Sequence, residues 1–278
     1  MELRDNTPVT LRSLAGGDPL PRNEQRLLWQ HVLGVSHSWL IAHDTDPLDA
    51  SSVQAYRHLA QRRLAGEPMA YLLGEREFMG HSFKVSPAVL IPRPDTEVLV
   101  EVALACLPPD RPASVLDLGT GSGAIAVSVA LARPNARVVA TDASAEALAI
   151  ARQNAASLGA SVTFLQGSWY DALDDNAAFD LIVSNPPYIA RLDTHLQQGD
   201  LRFEPRLALT DEHDGLQALR AIVDGAQQRL NRSGALYVEH GWDQAAAVRQ
   251  LCRQAGLHDV RSIRDLAGIE RVTGGIYN

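Results

Sequence analysis

The chain has 278 residues, 46% hydrophobic and 21% charged, a balance that fits one large globular domain, with or without a small one, and excludes fibrous repeats and extended disorder. Its formal net charge is −8, it has no basic run and Lys84 is its only lysine, a balance that speaks against a DNA or RNA substrate without excluding a local arginine patch. Its two cysteines form no C-x-x-C pair and no apolar run approaches the roughly 20 residues of a membrane span, so the expectation is a cytoplasmic monomer with no metal and with packed thiols at Cys106 and Cys252.

Residues 9–73 read as helical. Leu27, Leu28, His31 and Val32 mark one face of a short helix. A second helix is expected over residues 36–43. A third is expected over residues 50–65, with Val53, Tyr56 and Leu59 at helical spacing. Pro21, Pro47 and Pro68 stand between or at the starts of these segments, where proline is tolerated. Residues 1–74 therefore read as a small helical domain. Residues 75–91 change character. Phe78, Phe83, Val85, Val89, Leu90 and Ile91 sit among Gly80, Ser86 and Pro87, the pattern of a β-hairpin-like connector. Pro92 and Pro94 then hold the backbone extended, and Thr96 is placed to cap a helix over residues 97–106.

From residue 113, short apolar strands alternate with helices. Strands are predicted over residues 114–118, 137–141, 162–166, 180–184, 235–239, 260–263 and 271–277. Helices are predicted over residues 124–132, 145–158, 216–230 and 244–255. Near-continuous apolar strands alternating with helices imply an α/β fold whose sheet is covered on both faces. In such sheets ligands bind beyond the carboxyl ends of the strands.

The first of those ends carries Asp117-Leu118-Gly119-Thr120-Gly121-Ser122-Gly123. Glycines let the backbone approach a ligand where a side chain would collide. The spacing is G-x-G-x-G, not the G-x-G-x-x-G of dinucleotide enzymes. Asp117 can fix the loop or reach a ligand amino group. Asp142, ending the next strand, can accept two hydrogen bonds from a ribose diol; it is also placed to cap the following helix, although Ser144 suits that role better. Strand, glycine loop and downstream Asp together resemble the S-adenosylmethionine site of seven-stranded methyltransferases. After the third strand, Ser168 and Trp169 offer a hydrogen bond and a flat face to an adenine; Trp169 is otherwise a core side chain.

The fourth strand ends in Asn185-Pro186-Pro187-Tyr188. An amide or arylamine is a weak nucleophile because its lone pair is delocalised, as in the peptide bond. Methylating one requires its NH₂ to be aimed. The Asn185 side-chain oxygen and the Pro186 carbonyl can each accept one N–H, and Tyr188 can pack against the planar group. Such a tetrapeptide suits adenine, guanine and glutamine alike.

Other segments narrow the choice. Residues 67–74 (EPMAYLLG), Glu77-Phe78, residues 90–97 (LIPRPDTE), residues 179–189, residues 202–205 (RFEP), Glu239-His240-Gly241 and residues 270–272 together resemble the PrmC/HemK family of release factor glutamine methyltransferases, over nearly the whole chain. The resemblance implies a seven-stranded, mostly parallel class I methyltransferase domain of Rossmann-like type over residues 92–278, with a partner-binding helical domain before it. It implies S-adenosyl-L-methionine as cofactor, S-adenosyl-L-homocysteine as product, and the glutamine of the Gly-Gly-Gln loop of class 1 peptide chain release factors as substrate. Gly119, Thr120, Gly121, Ser122, Gly123, Asp142, Trp169 and Asn185 would touch the cofactor. Asn185, Pro186, Pro187 and Tyr188 would hold the glutamine, with Asn185, Pro186 and Tyr188 catalytic. The segment before Arg22 is short and contains glycines, which implies an abbreviated first helix. A glutamine methyltransferase acting on a ribosomal protein, a DNA or RNA exocyclic-amine methyltransferase and a noncatalytic ribosome-binding module are the alternatives.

Five residues stay open at this level. Arg93 and Glu97 either shape the active-site wall or pair with each other. Arg202 and Glu204 lie in a long insertion suited to a lid or a partner contact. His240 fits a structural histidine better than a catalytic base.

Overall fold

Trp29 and Tyr56 stack with ring centroids 4.1 Å apart, and around them Leu11, Leu20, Leu28, Leu40, Val53, Ala60 and Leu72 close a small core. The structure is a computed structural model that describes residues 8–278. Residues 1–7 of the expected helical domain lie outside the described residues. One compact unit ends at Gly74; a second runs from Glu75 to Asn278.

The first unit contains α1 (Leu11–Ala15), α2 (Arg22–Leu33), α3 (His37–Ala42), α4 (Ala50–Leu64) and α5 (Met69–Leu73). Thr10, Ser36 and Asp49 cap α1, α3 and α4 by accepting backbone N–H groups. The α1 helix has five residues, the short element implied by the glycines before Arg22. The expected face of α2 needs correction. Its buried residues are Gln25, Leu28 and Trp29, while Leu27 and His31 are exposed. The indole, stacked on Tyr56, turns the stripe by one position, and Gln25 is accommodated by donating to the Leu20 carbonyl at 2.6 Å.

The second unit opens with the hairpin β1 (Glu75–Phe78) and β2 (His81–Lys84). Phe78 and Phe83 meet edge to face, and the buried Asn154 side chain binds both backbone groups of Lys84. The chain continues through α6 (Glu97–Cys106), β3 (Ala113–Leu118), α7 (Ala124–Ala132), β4 (Ala136–Asp142), α8 (Ala145–Leu158), β5 (Val162–Gln166) and β6 (Phe179–Ser184). After a long excursion containing α9 (Arg206–Leu209) come α10 (Gln217–Ala226), β7 (Leu230–Glu239), α11 (Ala245–Gln254), β8 (His258–Arg264) and β9 (Glu270–Ile276).

The last seven strands form one sheet in the order β5-β4-β3-β6-β7-β9-β8. Neighbours from β5 to β7 pair in parallel; β9 runs antiparallel to both β7 and β8. One face is packed by α6 and α7 through Leu99, Val100, Val127 and Val129; the other by α10 and α11 through Leu219, Ile222 and Val248. This is the expected seven-stranded, mostly parallel α/β fold. Strand order reverses beside β3, and such a switch point opens a crevice at the carboxyl edge.

Three local expectations are corrected. Thr96 does not cap α6: it belongs to a 3₁₀ turn and no side-chain cap bond is made. The helix expected over residues 216–230 ends at Ala226, because Leu230 already opens β7. Cys252 is buried as expected, but Cys106 is exposed at the last turn of α6.

Candidate active site

The glycine loop joins β3 to α7. Gly119 (φ +70°), Gly121 (φ +55°) and Gly123 (φ +82°) all occupy the left-handed region, which side chains rarely adopt. At Gly123 an added Cβ would lie 3.1 Å from the Ala151 Cβ on α8, so glycine there also permits close helix–loop packing. The loop is fastened from below: the Gly119 and Thr120 N–H groups donate to the Thr141 carbonyl at 2.9 and 3.0 Å. Asn154 donates to the Ser122 carbonyl at 2.8 Å, tying the loop to the hairpin. The Thr120 and Ser122 side chains are buried, so the face these residues give the crevice is largely backbone.

Two carboxylates flank this loop and do different work. Asp117 is fully buried and accepts from the Thr120 hydroxyl at 2.6 Å; it does not line the crevice. Burial pushes its carboxyl up to about 7. Asp142 lines the crevice and holds two backbone N–H groups, Gly121 at 2.8 Å and Ser144 at 2.9 Å. Burial raises its pKa and these bonds oppose the rise. Ser144 caps α8 by accepting from the Ala147 N–H at 3.0 Å, which leaves Asp142 directed at the loop and the cavity.

The cavity at the carboxyl edge measures about 450 Å³, within the range of small-molecule and cofactor sites. Gly119 to Ser122, Asp142 to Ser144, Gly167 to Trp169, Asn185 and Pro187 line it. Trp169 is half-buried, sits at φ +45°, and carries its ring within van der Waals reach of the Gly119 position. The Thr141 hydroxyl donates to the Trp169 carbonyl at 2.9 Å and steadies this unusual backbone.

Gly123 immediately precedes α7 and does not itself line the cavity, although Ser122 before it and Ala124 and Ile125 after it do. Pro186 is buried, and neither it nor Tyr188 lines the cavity. The Tyr188 phenol turns inward and donates to Glu239 at 3.2 Å; burial raises its pKa. The Gln244 amide holds the Tyr188 carbonyl at 3.0 Å, fixing the end of the reactive loop. Asn185 is half-buried, and its Nδ2 donates to the Thr96 hydroxyl at 3.1 Å, which leaves Oδ1 as the acceptor.

Of the residues left open by the sequence, Arg93 does belong to the cavity wall, while most of that wall was not foreseen. Ala88 to Leu90, Pro92, Arg93 and Thr96 line the cavity from one side, and Pro205, Leu207, Ala208 and residues 210–212 from another. Arg93 and Glu97 do not pair with each other. Glu97 accepts from the Met79 N–H at 2.9 Å, whereas Arg93 forms an ion pair with the buried Glu204. Glu204 also accepts from the Ile91 N–H at 3.1 Å. The signal was present in two sequence segments, but their partnership spans more than a hundred residues of chain. Arg202 is exposed; it donates to the Gly199 carbonyl and lies over the Phe203 ring. His240 is fully buried between the Gly241 carbonyl and the Thr273 hydroxyl, the arrangement of a structural histidine. Among the described residues there is no cluster fit to hold a metal, and no helix is long and apolar enough to cross a membrane.

The residues present fit an adenosyl sulfonium cofactor. The glycine backbone clears space where a Cβ at Gly119 would already touch Trp169, at 3.4 Å. Asp142 offers a carboxylate to a diol, Trp169 offers a π face, and the N–H-rich start of α7 suits a carboxylate. Asn185 offers an amide oxygen to the same cavity.

Comparison with known proteins agrees with this geometry. Residues 95–201 match the Methyltransferase small domain, and residues 11–74 match the PrmC N-terminal domain. The chain is 64% identical to the release factor glutamine methyltransferase of Bordetella pertussis, over 95% of this chain and 98% of that one. It is 45% identical to the protein of that name in Escherichia coli, over 92% of each. A Thermus thermophilus 16S rRNA N2 G1207 methyltransferase, solved with AdoMet and guanosine, shares the fold at TM-score 0.56 and 20% identity, covering 73% of this chain and 50% of that one. Fold, site geometry and full-length similarity converge: the chain belongs to the release factor glutamine methyltransferase family.

Proposed function

We propose that this enzyme methylates the side-chain amide nitrogen of the glutamine in the Gly-Gly-Gln motif of class 1 peptide chain release factors, using S-adenosyl-L-methionine. The observation that carries the reading is the Asn185 amide. Its NH₂ is committed to Thr96, so its oxygen faces the cavity beside the glycine loop as a fixed acceptor. Full-length identity to release factor methyltransferases supports the choice of glutamine over a nucleobase, and the acidic net charge agrees with it.

S-adenosyl-L-methionine held there would supply an activated methyl group on its sulfonium: the N–CH₃ bond forms as the S–CH₃ bond breaks, S-adenosyl-L-homocysteine leaves, and the extra proton on nitrogen is lost to solvent after attack, so no residue has to remove it beforehand. Asn185 Oδ1 accepts one N–H of the glutamine amide. The other N–H is assigned to the Pro186 carbonyl, on the next peptide of the same loop. Two acceptors fix both the plane and the direction of a group whose lone pair is otherwise delocalised. Pro187 fills the space beside it and excludes water. Catalysis is then mainly orientation with electrostatic support. The helical domain over residues 1–74 contributes to gripping the release factor, the connector over residues 75–91 lends Ala88, Val89 and Leu90 to the cavity wall, and the rest of the reaction site lies in residues 92–278. The enzyme works in the cytoplasm, where release factors act.

Labelled cofactor incubated with the enzyme and either a purified release factor or a purified ribosomal protein tests the substrate. Label in the release factor alone, abolished when its Gly-Gly-Gln glutamine is replaced by alanine, supports the reading. Label in the ribosomal protein alone overturns it.

A further inference from the structure

Gln244 stands just ahead of α11, is half-buried and does not line the cavity. Its side chain nevertheless joins three segments at the carboxyl edge of the sheet. Nε2 donates to the Tyr188 carbonyl at 3.0 Å and to the Gly215 carbonyl at 3.1 Å, and Oε1 accepts from the Gly241 N–H at 2.8 Å. Both donors and the oxygen of the amide are thereby engaged. Two glycines make room for it. An added Cβ at Gly215 (φ +79°) would lie 3.0 Å from Nε2 and collide with the Tyr188 carbonyl oxygen; one at Gly241 would lie 3.0 Å from Oε1.

Each of the three segments bears on the site. Tyr188 ends the reactive loop. Gly215 belongs to the turn between Asp211 and Gln217, both of which line the cavity; Asp211 accepts from the Gly215 N–H at 3.0 Å and the Gln217 N–H at 2.7 Å. Gly241 follows the end of β7, where Glu239 receives the Tyr188 phenol. Pro186 and Pro187 carry no N–H with which to fix the loop from within. Its backbone is therefore held from its two ends, at Asn185 by Thr96 and at Tyr188 by Gln244.

We propose that Gln244 is a positioning residue for methyl transfer, an inference that rests on the amide-methylation reading above. Its amide sets the direction of the Tyr188 carbonyl and, through the two prolines, that of the Pro186 carbonyl assigned to the substrate N–H. The same amide locks this loop to the turn ahead of α10, so two sides of the cavity share one support. Gln244 acts through Tyr188 and does not touch substrate.

The test is Gln244→Glu in the full-length enzyme, assayed beside wild type for methylation of a release factor from about pH 5.5 to 8.5, with cofactor affinity measured by calorimetry. The substitution keeps the shape and the oxygen that serves Gly241. An ionised carboxyl only accepts, so it faces two carbonyl oxygens with no proton to offer, whereas its acid form regains one O–H donor. The other titratable groups on the surrounding segments are Asp211, Glu212, His213 and Asp214 ahead of α10, Glu239 and His240 at the end of β7, and Asp243 beside Gln244. These are common to both proteins, so the variant-to-wild-type ratio of kcat isolates position 244. The expected ratio is lowered by up to about 10²-fold at the alkaline end, the scale of a misplaced reacting group, and recovers severalfold towards the acid end as the new carboxyl takes up a proton. Cofactor Kd stays within about twofold of wild type. Gln244→Met, of similar length and without donors, shows a comparable loss of kcat that does not vary with pH, and it carries the test if Gln244→Glu fails to fold. A wild-type kcat in either variant, a Gln244→Glu ratio that is flat across the pH range, or a loss confined to cofactor Kd overturns the proposal alone. A wild-type enzyme that leaves the release factor glutamine unmethylated overturns the underlying reading as well.

Discussion

Asp142→Asn isolates the cofactor side of the site. The substitution preserves shape but replaces one accepting oxygen with an NH₂. In the native chain both oxygens are committed, to the Gly121 N–H at 2.8 Å and the Ser144 N–H at 2.9 Å. Whichever way the new amide turns, one backbone N–H faces a donor. A hydrogen bond to a charged group contributes about 1.5–3 kcal/mol, and each 1.4 kcal/mol is about tenfold in affinity. If the loss falls on the glycine loop, cofactor Kd rises roughly 10- to 150-fold. Asn185 lies on another strand end and keeps its Thr96 bond, so kcat at saturating cofactor stays within about twofold of wild type. Calorimetry with cofactor and single-turnover methyl transfer separate the two quantities. An unchanged Kd with a collapsed kcat would refute the division of labour between these residues.

Asn185→Ala is expected to do the reverse, cutting kcat by roughly 10²–10³ with little change in cofactor Kd, as loss of an oriented polar contact does; binding and single-turnover assays check it. Asp117→Asn is a pH experiment. The folded carboxyl titrates at about 7 against 3.8 for the free group, so the native state holds the extra proton and its stability falls as pH rises through that window, by up to about 1.4 kcal/mol per unit. The variant should lose that contribution and be more stable than wild type at pH 8, by an amount on the order of 2–4 kcal/mol; urea unfolding at pH 5 and pH 8 measures it, and an equal slope in both proteins contradicts the assignment. Gly123→Ala places a Cβ 3.1 Å from Ala151 at φ +82°, and should cost about 2 kcal/mol in the same unfolding assay.

Much of this fold was legible because its strands are short, apolar and punctuated. The limits of α6, α7, α8 and β5 follow directly from the apolar runs and their flanking Gly, Pro and Ser. The glycine loop, Asp142, Trp169 and Asn185 were legible because each sits at the carboxyl end of a strand, where parallel sheets bring successive loops together. What escaped depends on distance along the chain. Arg93 meets Glu204, and Asn185 meets Thr96; no local pattern encodes either pair. The α2 face was misread because Leu27 and Trp29 lie on competing stripes of a short helix, and only stacking with Tyr56 decides between them. Tyr188 was read as a platform for the substrate, yet its phenol turns towards Glu239, a partner set by strand order.

The central claim is that a fixed amide oxygen at Asn185 directs methyl transfer to one glutamine nitrogen. Fragment-ion mass spectrometry of a class 1 release factor after treatment with enzyme and cofactor tests it most directly. A single methyl group on the side-chain nitrogen of the Gly-Gly-Gln glutamine, absent with the Asn185→Ala enzyme, is the predicted result. A methyl group on any other residue, or equal methylation by both enzymes, would contradict it.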